Sequence, residues 1–263
     1  MGSANHDEIV QESSIEDSKI TGNNYVGGMF GEFISNSTGN LISQNNIVKG
    51  NSGVGGLVGK TSNVDYIKSY NNEIYGSSSV GGVAGEAQGT MFYIESIGNK
   101  VIVDDVNGKL VGGVAGKGTY NISYVTVKDC IIKNLGDYTG GIFGQGGTGL
   151  TCSYNIVRNT TIEGNNNTGG FVGDGKTVQI SSSYVEADIK GNTNVGGLIG
   201  YLDNTDMNAI SNTSKIQSNY VANSTIEGND NVGGFIGNIA ENLYAPDSFY
   251  YGNYIEADVS SSD

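Results

Sequence analysis

The chain has 263 residues, of which 43 are glycine, one is proline (Pro246) and none is tryptophan. Collagen is excluded because it needs glycine at every third position with abundant proline, and a flexible Gly/Ser linker is excluded by 37% apolar residues in a regular pattern. A balance of 13 Lys+Arg against 27 Asp+Glu, net −14, repels phosphate backbones and anionic headgroups, and no apolar run nears the ~18 residues of a membrane span, so neither nucleic-acid binding nor membrane insertion is expected.

Residues 1–12, beginning Met1-Gly2-Ser3-Ala4-Asn5-His6, read as an expression leader and flexible N-terminus, since the basic and apolar regions of a signal peptide are missing. Residues 13–263 read as one repeat array. Val26-Gly27-Gly28-Met29-Phe30-Gly31 opens a series of a β-branched residue, two glycines, two apolar residues and a glycine. It returns with Gly55-Gly56, Gly81-Gly82, Gly112-Gly113, Gly140-Gly141, Gly169-Gly170, Gly196-Gly197 and Gly233-Gly234. The first glycines are spaced by 28, 26, 31, 28, 29, 27 and 37 residues. A fixed period of that length is the mark of a repeat architecture.

Upstream of each copy stands a β-branched residue: Ile20, Val48, Ile74, Ile102, Ile132, Ile162, Ile189 and Ile226. Three residues before it lies a column of Asp17, Asn45, Asn71, Asn99, Asp129, Asn159, Glu186 and Asn223, and two residues after it usually a glycine, such as Gly22, Gly50 or Gly76. Asn and Asp accept the left-handed backbone region, as glycine does. Bends therefore recur between short strands, and like residues stack from coil to coil. The expected fold is an all-β parallel β-solenoid (β-helix) of about eight coils with a period near 29 residues, its Asn/Asp column forming a ladder. A propeller blade of roughly 40–45 residues is longer than this period. Adjacent apolar residues in Gly-Gly-h-h-Gly leave two alternatives open, a sharp corner or close approach of another backbone.

Other features follow in chain order. Tyr66, Tyr70, Tyr93, Tyr120, Tyr124, Tyr154, Tyr184 and Tyr220 recur about once per coil before the bend, either as core-edge packing or as an exposed stripe that stacks on sugars or a partner. Asp104-Asp105 sits in an insertion. Cys130 and Cys152 stand 22 residues apart in different columns, so free buried thiols are expected. Gly144-Gln145-Gly146-Gly147-Thr148-Gly149 lacks the phosphate-loop spacing and reads as a turn. Glu186-Ala187-Asp188 recurs as Glu256-Ala257-Asp258, and Asp203 and Asp206 lie in the longest connection. Residues 254–261 match 184–191, which places the end of the sequence inside a ninth repeat. Tyr244, Phe249, Tyr250, Tyr251 and Tyr254 form the densest aromatic cluster, the first four a candidate binding patch.

The recurring V-G-G-h-h-G resembles the GLUG repeat of bacterial surface proteins, found in wall-attached adhesins and in the non-catalytic region of immunoglobulin A1-specific metalloproteases. The resemblance covers about residues 15 to 259. It implies a secreted or cell-surface location and a stalk or a scaffold binding a host protein or glycan, with no chemistry of its own. The residues agree: the single histidine, His6, rules out an H-E-x-x-H zinc site and a Ser-His-Asp triad. No cofactor or metal is expected. The competing reading is a β-helical polysaccharide-acting enzyme or carbohydrate-binding domain using paired carboxylates.

Overall fold

The computed structural model describes residues 3–5, 10–34, 38–118, 120–204, 214–241 and 249–262. Among them there is no helix, and every strand pairing is parallel. The chain is a β-solenoid of about seven turns with a period near 28 residues, slightly below the eight coils and period of 29 expected. One coil shows the plan. Val64–Tyr70 and Glu73–Tyr75 join an 18-stranded sheet, Ser78–Gly81 an 8-stranded sheet and Ala84–Ala87 a 9-stranded sheet. Pairing is in register: Val54, Val80 and Val111 face one another, as do Gly55, Gly81 and Gly112.

The solenoid begins before residue 13. Val10–Glu16 pairs with Thr38–Gln44, and Ser3–Asn5 adds to Phe30–Ile34, so part of the expected flexible segment is strand. At the other end Tyr254–Ser261 lies on Tyr220–Gly228, as the front half of a further repeat would.

The Gly-Gly-h-h-Gly motif satisfies both alternatives that its sequence left open. Its second glycine and first apolar residue turn the chain from one sheet into the next: Gly55 ends one strand, Val58 starts another, and Leu57 and Val58 are both buried. The glycines meanwhile lie against backbone. A β-carbon on Gly55 would stand 2.2 Å from the Val58 carbonyl oxygen and 2.6 Å from the Ala84 Cα of the adjoining coil. On Gly141 it would stand 2.0 Å from the Gly170 carbonyl oxygen, and on Gly144 2.3 Å from the Val111 nitrogen of the coil before. None of these three has positive φ; what glycine supplies is room. Gly50 is similar: its missing side chain makes space for the Val26 and Val54 methyls, rather than for a left-handed bend.

Core columns compensate for one another along the axis. Val58, Ala84, Ala115, Phe143 and Val172 face the interior in turn. Where Phe143 enters, the coil before it has Gly118, whose β-carbon would lie 2.4 Å from the phenyl ring. Interiors packed to crystal-like density require such matching.

The bend column is partly as expected. Asn45, Asn71, Asn159 and Asn223 are exposed with φ of 55°, 51°, 47° and 49°. Asn99 does not belong with them. Gly98 takes that bend at φ 68°, and Val101, not Ile102, stacks between Ile74 and Ile132. Glu186 also falls outside the column. It sits beside Arg158 within an unbroken strand that skips the bulge residue Asn159.

The buried ladder is one residue further on. The Asn46 backbone N–H donates to Asn72 Oδ1 at 2.8 Å, and the Asn72 N–H to Asn99 Oδ1 at 2.8 Å. Each amide group also closes a brace within its coil: Asn72 Nδ2 donates to Ser69 Oγ, which donates to the Gly82 carbonyl at 2.6 Å. The same brace occurs with Asn46, Ser43 and Gly56, and with Asn99, Ser96 and Gly113. It ends where Cys130 and Val127 follow Asn99 and Ser96. From there the polar ladder moves to the preceding corner. The Val125 N–H donates to Asn155 Oδ1, Asn155 N–H to Ser183 Oγ, Ser183 N–H to Asn219 Oδ1 and Asn219 N–H to Asn253 Oδ1. Each asparagine of the two ladders also donates its amide N–H to a backbone carbonyl of the coil before it, as low-dielectric surroundings demand.

Gly141→Ala forces its β-carbon into the Gly170 carbonyl and is expected to cost about 3 kcal/mol or more, at or beyond the usual overpacking range. Gly39→Ala, whose β-carbon would meet the Gln11 side chain at 3.4 Å, serves as the comparison and should shift the urea midpoint little. Equal midpoints for the two variants would contradict the close-approach account.

Candidate functional site

The carboxylates singled out from the sequence are dispersed. Asp104 and Asp105 are exposed in a turn where the Asn107 N–H donates to Asp105 Oδ1 at 2.9 Å. Glu186 accepts from Arg158 Nε at 3.1 Å and from the Tyr184 hydroxyl at 2.9 Å. Asp203 faces Lys176 and Ala240 across the sheet; Asp206 lies outside the described residues. Asp174, one coil before, is buried. Burial pushes its carboxyl above the usual range and the Asp203 charge adds to this, while a 2.8 Å bond from Gln145 Nε2 opposes it. Among the described residues no three His, Cys, Asp or Glu side chains are placed to hold a metal. His6 lies outside the described residues.

Several charged side chains pair between coils. Lys60–Glu32, Lys100–Glu73, Lys133–Glu163 and Lys190–Glu227 join adjacent turns at 2.9 to 3.6 Å. Such partly exposed pairs contribute little stability. They do place opposite charges side by side in columns where stacking brings like positions together.

Cys130 and Cys152 are free and buried, as expected. Cys152 fills the inward column between Ile122 and Ile180. Cys130 ends the asparagine ladder, its Sγ donating to the Ser96 carbonyl at 3.3 Å. Burial pushes the Cys130 thiol up to about 11, and Cys152 higher still. In the glycine-dense segment Gly144 and Gly146 lie against neighbouring backbone and side chains, and Gly149 turns at φ 78°, so its glycines are structural.

The C-terminal aromatic patch does not form one surface. Tyr244 lies outside the described residues. Phe249, Tyr250 and Tyr251 occupy a strand on Lys215–Gln217. Tyr250 continues the inward column of Ile180 and Ile216, whereas Tyr251 continues the outward column of Ser181 and Gln217. Alternation along a strand sends these two side chains to opposite faces.

A different set of tyrosines converges. Tyr66, Tyr93, Tyr124 and Tyr154 stack with centroids 4.9, 5.1 and 5.4 Å apart and interplanar angles of 9°, 9° and 8°. Tyr70 and Tyr184 lie in other columns. Burial raises the phenol of Tyr70, and its hydrogen bond to Glu95 adds to this; Tyr184 lies under the Arg158 guanidinium. Tyr220 tilts at 46° against Tyr254. All four stacked residues sit at a left-handed corner, with φ of 56° or 57°. A left-handed residue costs roughly 1–2 kcal/mol unless it is glycine, or Asn or Asp with local bonding. Three stacked pairs return about 0.5–1.5 kcal/mol each, so stacking at best offsets the backbone cost. In other coils Asn40, Ser182, Ser218 and Gly252 hold the same left-handed corner. The corner therefore does not need tyrosine.

The stripe proposed from sequence is real for these four, but their faces are turned to one another, so they cannot each stack on a sugar. The signal available in the sequence was a tyrosine directly before an apolar residue, two residues into the first strand of three successive coils, Tyr66-Ile67, Tyr93-Ile94 and Tyr124-Val125; counting tyrosines once per coil mixed several columns.

Compared with family models, curated proteins and solved structures, the chain matches none.

Burial predicts the reactivity of the thiols. With Ellman's reagent at pH 8 the native protein should show almost no reaction over an hour, and both thiols should react at once in 6 M guanidinium, a thiol raised by burial being a poor nucleophile. Fast native labelling would place a cysteine at the surface.

Proposed function

We propose that this chain is a non-catalytic repeat module of a secreted or cell-surface bacterial protein, acting as a stalk or as a scaffold that binds a host protein or glycan. The GLUG-like V-G-G-h-h-G series supports the location. The observation that carries the role is where the repeated residues are spent. The motif glycines and the ladder of Asn46, Asn72 and Asn99 are consumed in joining coil to coil, and the braces of Ser43, Ser69 and Ser96 in holding each coil's own corner. A repeat of this kind lengthens a rigid support, since each unit buries its apolar face only against its neighbours. The depression lined by Lys49, Tyr75, Ile102, Asp104 and Asp105 is open to solvent, unlike the enclosed sites that hold small substrates. Acidity favours solubility at a wall or matrix and disfavours anionic partners.

Two measurements test this. Antibody raised to the module should label intact cells of the source bacterium, and brief protease treatment of those cells should remove the label. A panel of neutral and acidic polysaccharides incubated with the purified chain should release no reducing ends. Turnover that is abolished by Asp174→Asn or Asp203→Asn would replace this reading with that of a β-helical polysaccharide-acting enzyme.

A further inference from the structure

The geometry points to the row Tyr66–Tyr93–Tyr124–Tyr154 as a binding surface for a neutral, linear β-1,4-linked glycan lying along the solenoid axis. The inference deepens the scaffold reading, on which it rests, by naming the surface and the class of ligand. Each of the four side chains is about half exposed, between 48% and 56%. Their near-parallel stacking turns the ring faces inward to the row and leaves edges and hydroxyls outward. Tyrosine hydroxyls both donate and accept.

The repeat of the row selects the ligand. Its spacing of 4.9 to 5.4 Å is close to the rise per pyranose of an extended β-1,4-linked chain, whose equatorial hydroxyls would meet one phenol per sugar. An extended peptide is out of step: it rises about 3.3 Å per residue, so side chains on one face recur at about 6.6 Å. Anionic polymers are repelled by a net charge of −14. The columns beside the row run Asp65, Phe92, Ser123 and Ser153 on one side and Lys68, Glu95 and Thr126 on the other, so hydroxyls flank it at Tyr124 and Tyr154 and charged groups at Tyr66 and Tyr93. Nothing in the fold calls for tyrosine at this corner, because Ser182 and Ser218 occupy it with φ of 50° and 55°.

That equivalence also provides the variant. Tyr93→Ser with Tyr124→Ser should keep the corner, as judged by circular dichroism and melting, while removing the middle of the row. Isothermal titration with chitohexaose and cellohexaose should give saturable binding of at least one by the natural chain. The double variant should bind at least tenfold more weakly, and Tyr251→Ser, an exposed tyrosine outside the row, should bind as the natural chain does. The inference is overturned if neither oligosaccharide binds the natural chain, or if the double variant binds equally well; capture of a protein instead of a glycan by the row would also overturn it. Mass spectrometry of the recovered sugar separates the two readings. Cleaved oligosaccharide would sink the non-catalytic reading and leave the glycan site, whereas absent binding would sink the glycan site and leave the scaffold.

Discussion

The structure depends on the approach of one coil's backbone to the next at the paired glycines. At Gly56 a β-carbon would lie 2.3 Å from the Gly82 carbonyl oxygen, and at Gly82 2.2 Å from that of Gly113. Any side chain there would push the coils apart by more than packed interiors tolerate. Because the three glycines of a motif touch the same coil and both its neighbours, the constraint fixes register as well as distance. A slip by one residue would bring β-carbons where only hydrogens fit, and would turn every side chain of the flanking strands to the other face.

Within that frame the interior polar groups are free to move, provided each coil satisfies its neighbour. Asn46, Asn72 and Asn99 serve one corner, and Asn155, Ser183, Asn219 and Asn253 the other. The exchange happens in a single coil, where Val125 receives the new ladder as Cys130 closes the old. Beside it Ser43, Ser69 and Ser96 give way to Val127, Val157 and Val185 in the same column. A valine methyl then fills the space against the glycine that a hydroxyl had bridged: Val157 lies 3.1 Å from where a Gly141 β-carbon would stand. Hydrogen bond and methyl are thus alternative fillings of one site, and the glycine is what both require.

The repeat period, the absence of helix and the stacking of like residues could be read from the sequence because the Val-Gly-Gly copies carry the constraint in their spelling. Finer register could not. Asn99 looked like a bend residue because Val101-Ile102 offers two β-branched candidates, and only pairing with Ile74 and Ile132 decides between them. Glu186 looked like one because the count of residues hides a missing bulge. Gly50 and its equivalents were assigned to a backbone conformation when their role is space, a distinction that needs the adjoining coil. The tyrosine row was hidden for the same reason: intervals between coils vary, so tyrosines of different columns look alike until strands are paired. Neighbours in space, not in sequence, determine these details.

The register between coils can be measured directly by cross-linking. Lys133 and Glu163 face each other on adjacent strands, while Thr161 faces Ile131. Adjacent strands lie about 4.8 Å apart, within the span a disulfide accepts. Lys133→Cys with Glu163→Cys should therefore close a disulfide under mild oxidation, and Lys133→Cys with Thr161→Cys should not. Efficient closure of the second pair with failure of the first would show that the coils are not stacked as the glycines dictate.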